Sequence, residues 1–228
     1  MVARNVAAVR SRIAAAAARA GRAADDVTLV GISKTFPAAA VRAAWDAGLR
    51  HFGENRVQEW EGKRGELADL ACTWHLVGHL QSNKARRAAQ IFSAVDSVDS
   101  SDLARRLDAA LAEAPPPQWL RVLLEVRLAP EETKSGIEPD KLEAMARAAL
   151  GLPRLDLQGL MCIPPFAEDP ERTRPYFRRL RELRGELNAR LGAALPVLSM
   201  GMSHDFEVAV EEGATEVRVG SALFGARG

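Results

Sequence analysis

Eight short apolar runs alternate with longer helical stretches from residue 27 to the end of the chain, and this alternation limits the fold more than any other feature. The runs lie at 27–33, 51–54, 73–78, 94–98, 119–126, 155–163, 197–201 and 216–220. Between them fall helical stretches at 37–48, 55–69, 81–91, 101–114, 139–150, 170–192 and 204–213, with a short last helix from Ser221. Ser101-Asp102 opens one of these, and Gly48 and Gly213 stand just past the ends of two others, the usual helix punctuation. Most runs are continuously apolar rather than alternating, as strands are when helices cover both faces of a parallel sheet. An alanine-rich stretch at 6–20, interrupted by Arg10, Arg12 and Arg19, adds an amphipathic helix before the first unit. The expectation is α/β: one (β/α)8 TIM barrel over residues 1–228, with an extra N-terminal helix. Periodicity alone leaves an open doubly wound sheet as the alternative. A dinucleotide-binding sheet would carry G-x-G-x-x-G after an early strand, and the first run is followed instead by Lys34-Thr35-Phe36-Pro37.

Composition narrows the class. With 31 basic and 30 acidic residues the net charge is +1, so no global field favours nucleic acid or an anionic membrane. No run reaches the roughly 18 to 20 apolar residues that span a bilayer, and no signal peptide is visible. Cys72 and Cys162 offer neither a disulfide framework nor zinc-type spacing. A cytoplasmic monomer, bound to no membrane and no nucleic acid, is the expectation.

A barrel of this kind places its chemistry at the carboxyl ends of the strands, often with a phosphate at the loops after the last two. That brings Lys34, Asn55, His79, Ser97, Met161, Ser203, Arg218 and Ser221 to one rim, with Lys134 further out on its loop. Gly201-Met202-Ser203 leads into one helix and Gly220-Ser221 opens another. Glycines let backbone approach an anion, serines donate hydroxyls, and helix amino ends add N–H groups. The competing reading is ordinary N-capping by Ser203 and Ser221. No nucleotide P-loop motif occurs. A lysine amine across a barrel mouth from a phosphate cradle is the arrangement pyridoxal 5′-phosphate requires.

The segments GISKT, HFGENRVQE, WHLVGHLQSNKAR, EETKSGI, GLMCIPP and LSMGMSHDFEVAVEEGATEVRVGSALFGAR, in this order over about 27–227, resemble the pyridoxal phosphate homeostasis proteins, also called the YggS or proline-synthase co-transcribed family. The resemblance implies a barrel like the amino-terminal domain of alanine racemase, with pyridoxal 5′-phosphate as cofactor. It implies Lys34 as the Schiff-base lysine, and Ser203, Gly220 and Ser221 as phosphate ligands. Arg218 would face the pyridine nitrogen, and Asn55 and Met161 would belong to the same cofactor site. It implies a protein that buffers or delivers the cofactor, with apoenzymes as recipients, rather than an enzyme. Phe36, where a second lysine is frequent, and His204, where aspartate or alanine is more usual, depart from the pattern.

Other constellations are weaker. His75 and His79 stand roughly 13 Å apart on an extended strand, so no metal is expected, and His/Cys/Asp clusters at ligand spacing are absent from the sequence. Cys162 reads as a small buried residue rather than a nucleophile. The stretch 81–86, QSNKAR, lacks the interleaved aromatics of a nucleic-acid surface. The arginines of 172–190 are balanced by Glu171, Glu182 and Glu186, as on an exposed helix face. A racemase-type enzyme is the rival function. It needs a second acid-base group opposite the lysine, and the one tyrosine, Tyr176, lies at a helix start. A phosphosugar barrel enzyme is a third, with Glu54 or Glu125 as its base.

Overall fold

The computed structural model describes residues 1–112, 119–129 and 135–225. Parallel strands β1 Thr28–Ile32, β2 His51–Glu54, β3 Thr73–Leu76, β4 Ala94–Val98, β5 Leu120–Glu125, β6 Leu155–Met161, β7 Val197–Ser199 and β8 Glu216–Val219 pair in sequence order. β8 returns to β1 through Thr28–Glu216 to Gly31–Val219, which closes the barrel. The expected (β/α)8 barrel is therefore the fold, and the open-sheet alternative falls. Helices α1 Val2–Arg19, α2 Ala38–Asp46, α3 Val57–Lys63, α4 Ala85–Ile91, α5 Ser101–Ala112, α6 Leu142–Leu150, α7 Arg174–Leu191, α8 Phe206–Glu211 and α9 Ser221–Phe224 form the outer layer.

The principal core lies between strands and helices. Phe52, Trp74, Leu76, Leu124 and Val217 face helical residues such as Val41, Trp60, Leu107 and Phe177. Trp60 stacks on Trp74 with centroids 3.6 Å apart, and its indole N–H donates to Ile91 O at 2.8 Å. Inside the barrel Val30, Ile32 and Val77 form a small separate cluster. The extra first helix, α1, begins earlier than the expected 6–20 and buries Val6, Val9, Ile13, Ala16 and Ala17 along one stripe.

Several expected strands stop short. The 73–78 run pairs only to Leu76, 155–163 to Met161 and 197–201 to Ser199. Their trailing residues instead build the rim loops. The closure is tightest between β6 and β7, where a Cβ on Gly159 would stand 2.0 Å from Val197 O. Helical runs are shortened too. Single 3₁₀ turns, Ser82–Lys84, Pro139–Lys141 and Pro170–Thr173, precede α4, α6 and α7. Gly48 and Gly213 do end helices, with φ of +87° and +100°. The arginines of α7 take partners beyond those expected. Arg179 meets Glu186 and Glu182, but Arg174, Arg178 and Arg181 all reach Glu212 at the end of α8, at 3.2, 3.0 and 3.1 Å. No helix among the described residues is long and apolar enough to cross a membrane. The proline stretch at 115–117 and Lys134 lie outside the described residues.

Candidate functional site

Lys34 follows β1 directly and is half-buried. The turn that carries it is unusual: Thr35 has φ +69°, alone among the described non-glycine residues in taking a positive φ. Asn55 follows β2 and, with His79, Gln81 and Lys84, lines a cavity of about 320 Å³ at the rim. His79 stands exposed with Nδ1 3.2 Å from Asp99. Glu125 ends β5 in a buried position where Ser135 Oγ donates to it at 3.1 Å, and burial pushes its carboxyl up. A second mouth cavity, about 530 Å³, lies among His79, Glu125, Ser135 and Ile163.

The last two loops build the part of the mouth on the other flank of β1, since β8 pairs with β1. Ser203 Oγ accepts from Gly220 N at 3.1 Å and from Ala222 N at 3.3 Å. This is capping, but of α9 rather than of Ser203's own following helix. Asp205, the residue before α8, has a carboxylate that accepts from Met202 N at 2.7 Å and so closes the loop rather than capping the helix. Gly201 has φ +92°, and a Cβ there would come 2.9 Å from Phe206 Cα, so only glycine lets the loop lie so close to α8. Ser221 is exposed at the start of α9. Gly220 abuts the strand that leads to Lys34: its Cβ position is 3.3 Å from Ile32 O.

Met161, the last residue of β6, and Arg218 are buried, and Ser97 is tied into the wall by donating to Gly78 O at 2.7 Å. The Arg218 guanidinium donates to Ser199 Oγ at 2.7 Å and to Cys162 O at 2.9 Å, which fixes its orientation. Glu54 also leaves the mouth, for it is fully buried against Lys63 at 2.7 Å. Cys162 is buried and its thiol is pushed up to about 12, chiefly by desolvation, which suits its inert reading. Cys72, by contrast, is only half-buried. Phe36 stacks at 5.1 Å from Phe224, and His204 Nε2 lies 2.9 Å from Glu168 O.

Beneath the mouth the barrel interior is ionic. Ligand atoms of His75, Asp96 and Glu216 lie within 4.8 Å of one another, a grouping that the sequence reading did not include. The three sit on β3, β4 and β8, so their proximity has no signature in linear spacing. Arg121 already stands among them, 2.7 Å from Glu216 and 3.3 Å from His75 Nδ1. His75 Nδ1 is 2.9 Å from Asp96, and its Nε2 is 3.1 Å from His51 Nδ1. Burial, helped by the neighbouring His75 and Arg121, lowers His51 to about 4, so it is neutral and accepts from His75. With His75 protonated, the charges of His75 and Arg121 balance those of Asp96 and Glu216.

This network has a pH signature. Burial alone would lower His75, but the Asp96 carboxylate outweighs it and the folded value is raised above the ordinary 6.5. A raised value stabilises the fold fully below 6.5 and loses that contribution as pH climbs through the folded value. Chemical denaturation of the parent should therefore show an alkaline decline in stability that His75→Asn lacks. Parallel pH profiles for the two proteins would sink this account of the network.

A closed barrel with a lysine after its first strand and an oriented arginine on its last defines the class of the alanine racemase amino-terminal domain. The sequence model for that family, "Alanine racemase, N-terminal domain", matches residues 5–228. The chain is 50% identical over 226 residues to the pyridoxal phosphate homeostasis protein of Pseudomonas aeruginosa, covering 99% of this chain and 96% of that one. It is 47% identical to the protein of the same name from Aquifex aeolicus, over 96% and 95% of the two chains. PipY of Synechococcus elongatus PCC7942, solved with PLP bound, superposes with a TM-score of 0.88 at 41% identity, covering 99% of this chain and all of that one. The chain belongs to the pyridoxal phosphate homeostasis protein family. An alanine racemase of Clostridium difficile 630 shares the fold alone, with a TM-score of 0.71 at 14% identity over 88% of this chain and 55% of the racemase.

Proposed function

We propose that this protein binds pyridoxal 5′-phosphate reversibly at Lys34 and buffers or delivers it, without turning over amino acids. One observation carries the reading: the donor cluster of Ser203, Gly220 and Ala222 abuts the strand end that presents Lys34. The residues fit the cofactor. Ser203 Oγ accepts two backbone N–H groups, which holds the hydroxyl in place and leaves its own O–H to donate to a phosphate oxygen. The cofactor supplies an aldehyde that a lysine amine captures as a Schiff base, and a ring that accepts electrons. Asn55, Met161 and Ser221 are included in the proposed site on the family resemblance.

The Ser203→Ala protein should bind pyridoxal 5′-phosphate about ten- to a hundredfold more weakly, since it loses a hydrogen bond to a charged group. Pyridoxal, which has no phosphate, should bind both proteins alike. Equal losses for the two ligands in a titration would move the phosphate site elsewhere.

One feature supports a carrier over an enzyme. Tyr176 lies in the first turn of α7, not on a strand end, so it does not supply a second acid-base group at the mouth. Incubation with L-alanine in deuterated water should therefore give no appreciable α-deuterium incorporation by NMR. Exchange on the order of 1 s⁻¹ or faster, lost in Lys34→Ala, would favour the racemase-type reading. Delivery to apoenzymes is tested by transfer of bound cofactor to a recipient against release into buffer.

A further inference from the structure

Lys63 is a buried ammonium that the site as described leaves unused. Its Nζ donates to Ser33 O at 2.9 Å and to Phe36 O at 3.0 Å, and pairs with Glu54 at 2.7 Å and Glu59 at 3.3 Å. Both carboxylates return to the same turn. Ser33 Oγ donates to Glu54 at 2.6 Å, and Thr35 N donates to Glu59. The turn itself is closed by Phe36 N donating to Ser33 O at 3.1 Å. Apart from the two ion pairs that tie Lys63 to Glu54 and Glu59, these bonds all end on residue 33, 35 or 36, on either side of Lys34.

Packing alone does not require this arrangement. A buried ammonium is costly unless all its protons are met, and an apolar side chain of similar length fills such a space without that cost. A β-branched residue held at positive φ, as Thr35 is, persists only where its surroundings over-determine the backbone. Polar groups that converge on one short, strained turn serve its geometry.

We propose that Lys63, with Glu54 and Glu59, is a positioning clamp that fixes the 33–36 turn and so aims the Lys34 amine at the cofactor aldehyde. The inference rests on the reading of Lys34 as the attachment point. In that reaction the neutral amine nitrogen attacks the aldehyde carbon and a carbon–nitrogen double bond forms. The carbonyl oxygen leaves as water with the two amine hydrogens. Its rate depends on how the nitrogen is oriented, whereas Ser203 and Ser221, the proposed phosphate ligands, are not among the groups that Lys63, Glu54 and Glu59 bond.

The test uses the full chain with Lys63→Met and Glu59→Ala. Burial already disfavours the charged form of Glu54, which softens the loss of its Lys63 partner in Lys63→Met. Glu59, more exposed than Glu54, is the milder variant and decides the matter if Lys63→Met does not fold. Imine formation with pyridoxal 5′-phosphate is followed by its visible absorbance. Binding of pyridoxine 5′-phosphate, which has an alcohol in place of the aldehyde, is measured by calorimetry. Lys63→Met should slow imine formation about a hundredfold and Glu59→Ala about tenfold, with pyridoxine 5′-phosphate affinity unchanged in both. Equal weakening of both ligands would make the cluster merely structural and overturn the proposal. Borohydride reduction of the parent separates the two readings. A label on Lys34 with unchanged rates in the variants overturns the clamp alone, and a label on another lysine overturns both.

Discussion

Lys34→Ala should abolish borohydride-stable labelling by pyridoxal 5′-phosphate and lower retention of the cofactor by about a hundredfold or more, because the tether that holds it at high effective concentration is gone. The fold should hardly notice. Lys34 is half-buried at the end of β1 and lies outside both apolar clusters, so truncation should cost about 0.5 to 1 kcal/mol at most. Peptide mapping of the reduced parent protein checks the first claim and thermal melting of the variant checks the second. Labelling that persists on Lys84 after the substitution would move the attachment point across the rim to the neighbouring cavity.

Gly159→Ala should have the largest effect on stability. Its added methyl would be driven to 2.0 Å from Val197 O, a backbone atom that no side-chain rotation can move, and β6 would have to part from β7. Overpacking of this kind costs about 3 kcal/mol or more. For a domain of this size that lowers the melting temperature by roughly 6 to 12 °C, and a denaturant titration gives the free energy directly. A variant as stable as the parent would show that the β6–β7 register is not the one described.

Lys34 and the order of units were legible because both lie in contiguous sequence. A continuously apolar run followed by Lys-Thr-Phe-Pro announces a strand end, and eight such runs leave few parallel architectures. The rim could be named only approximately. Side chains alternate along a strand, and without the register the burial of Arg218 and Met161 could not be read. The ionic interior was hidden for a related reason. His51, His75, Asp96, Arg121 and Glu216 come from β2, β3, β4, β5 and β8, and closure of the barrel alone brings them together. A signal was present in the one or two charges inside otherwise apolar runs, as in AVDSV, LRVLLE and EVRV. Lys63 carried a fainter one, since Glu59 precedes it by four residues on the same helix.

The contact between Arg121 and Glu216 joins positions 95 apart in the chain, from strands that are not neighbours in the sheet. Loss of either partner alone strands a charge in the interior, whereas replacing both by apolar residues of matching bulk removes the problem. Among related chains these two positions should accordingly be inherited as a pair, with few intermediates that carry one charge and lack the other. A lineage that has exchanged the charges for apolar bulk would have crossed that gap in a concerted step, or by way of a change at His75 or Asp96 that first relieved it.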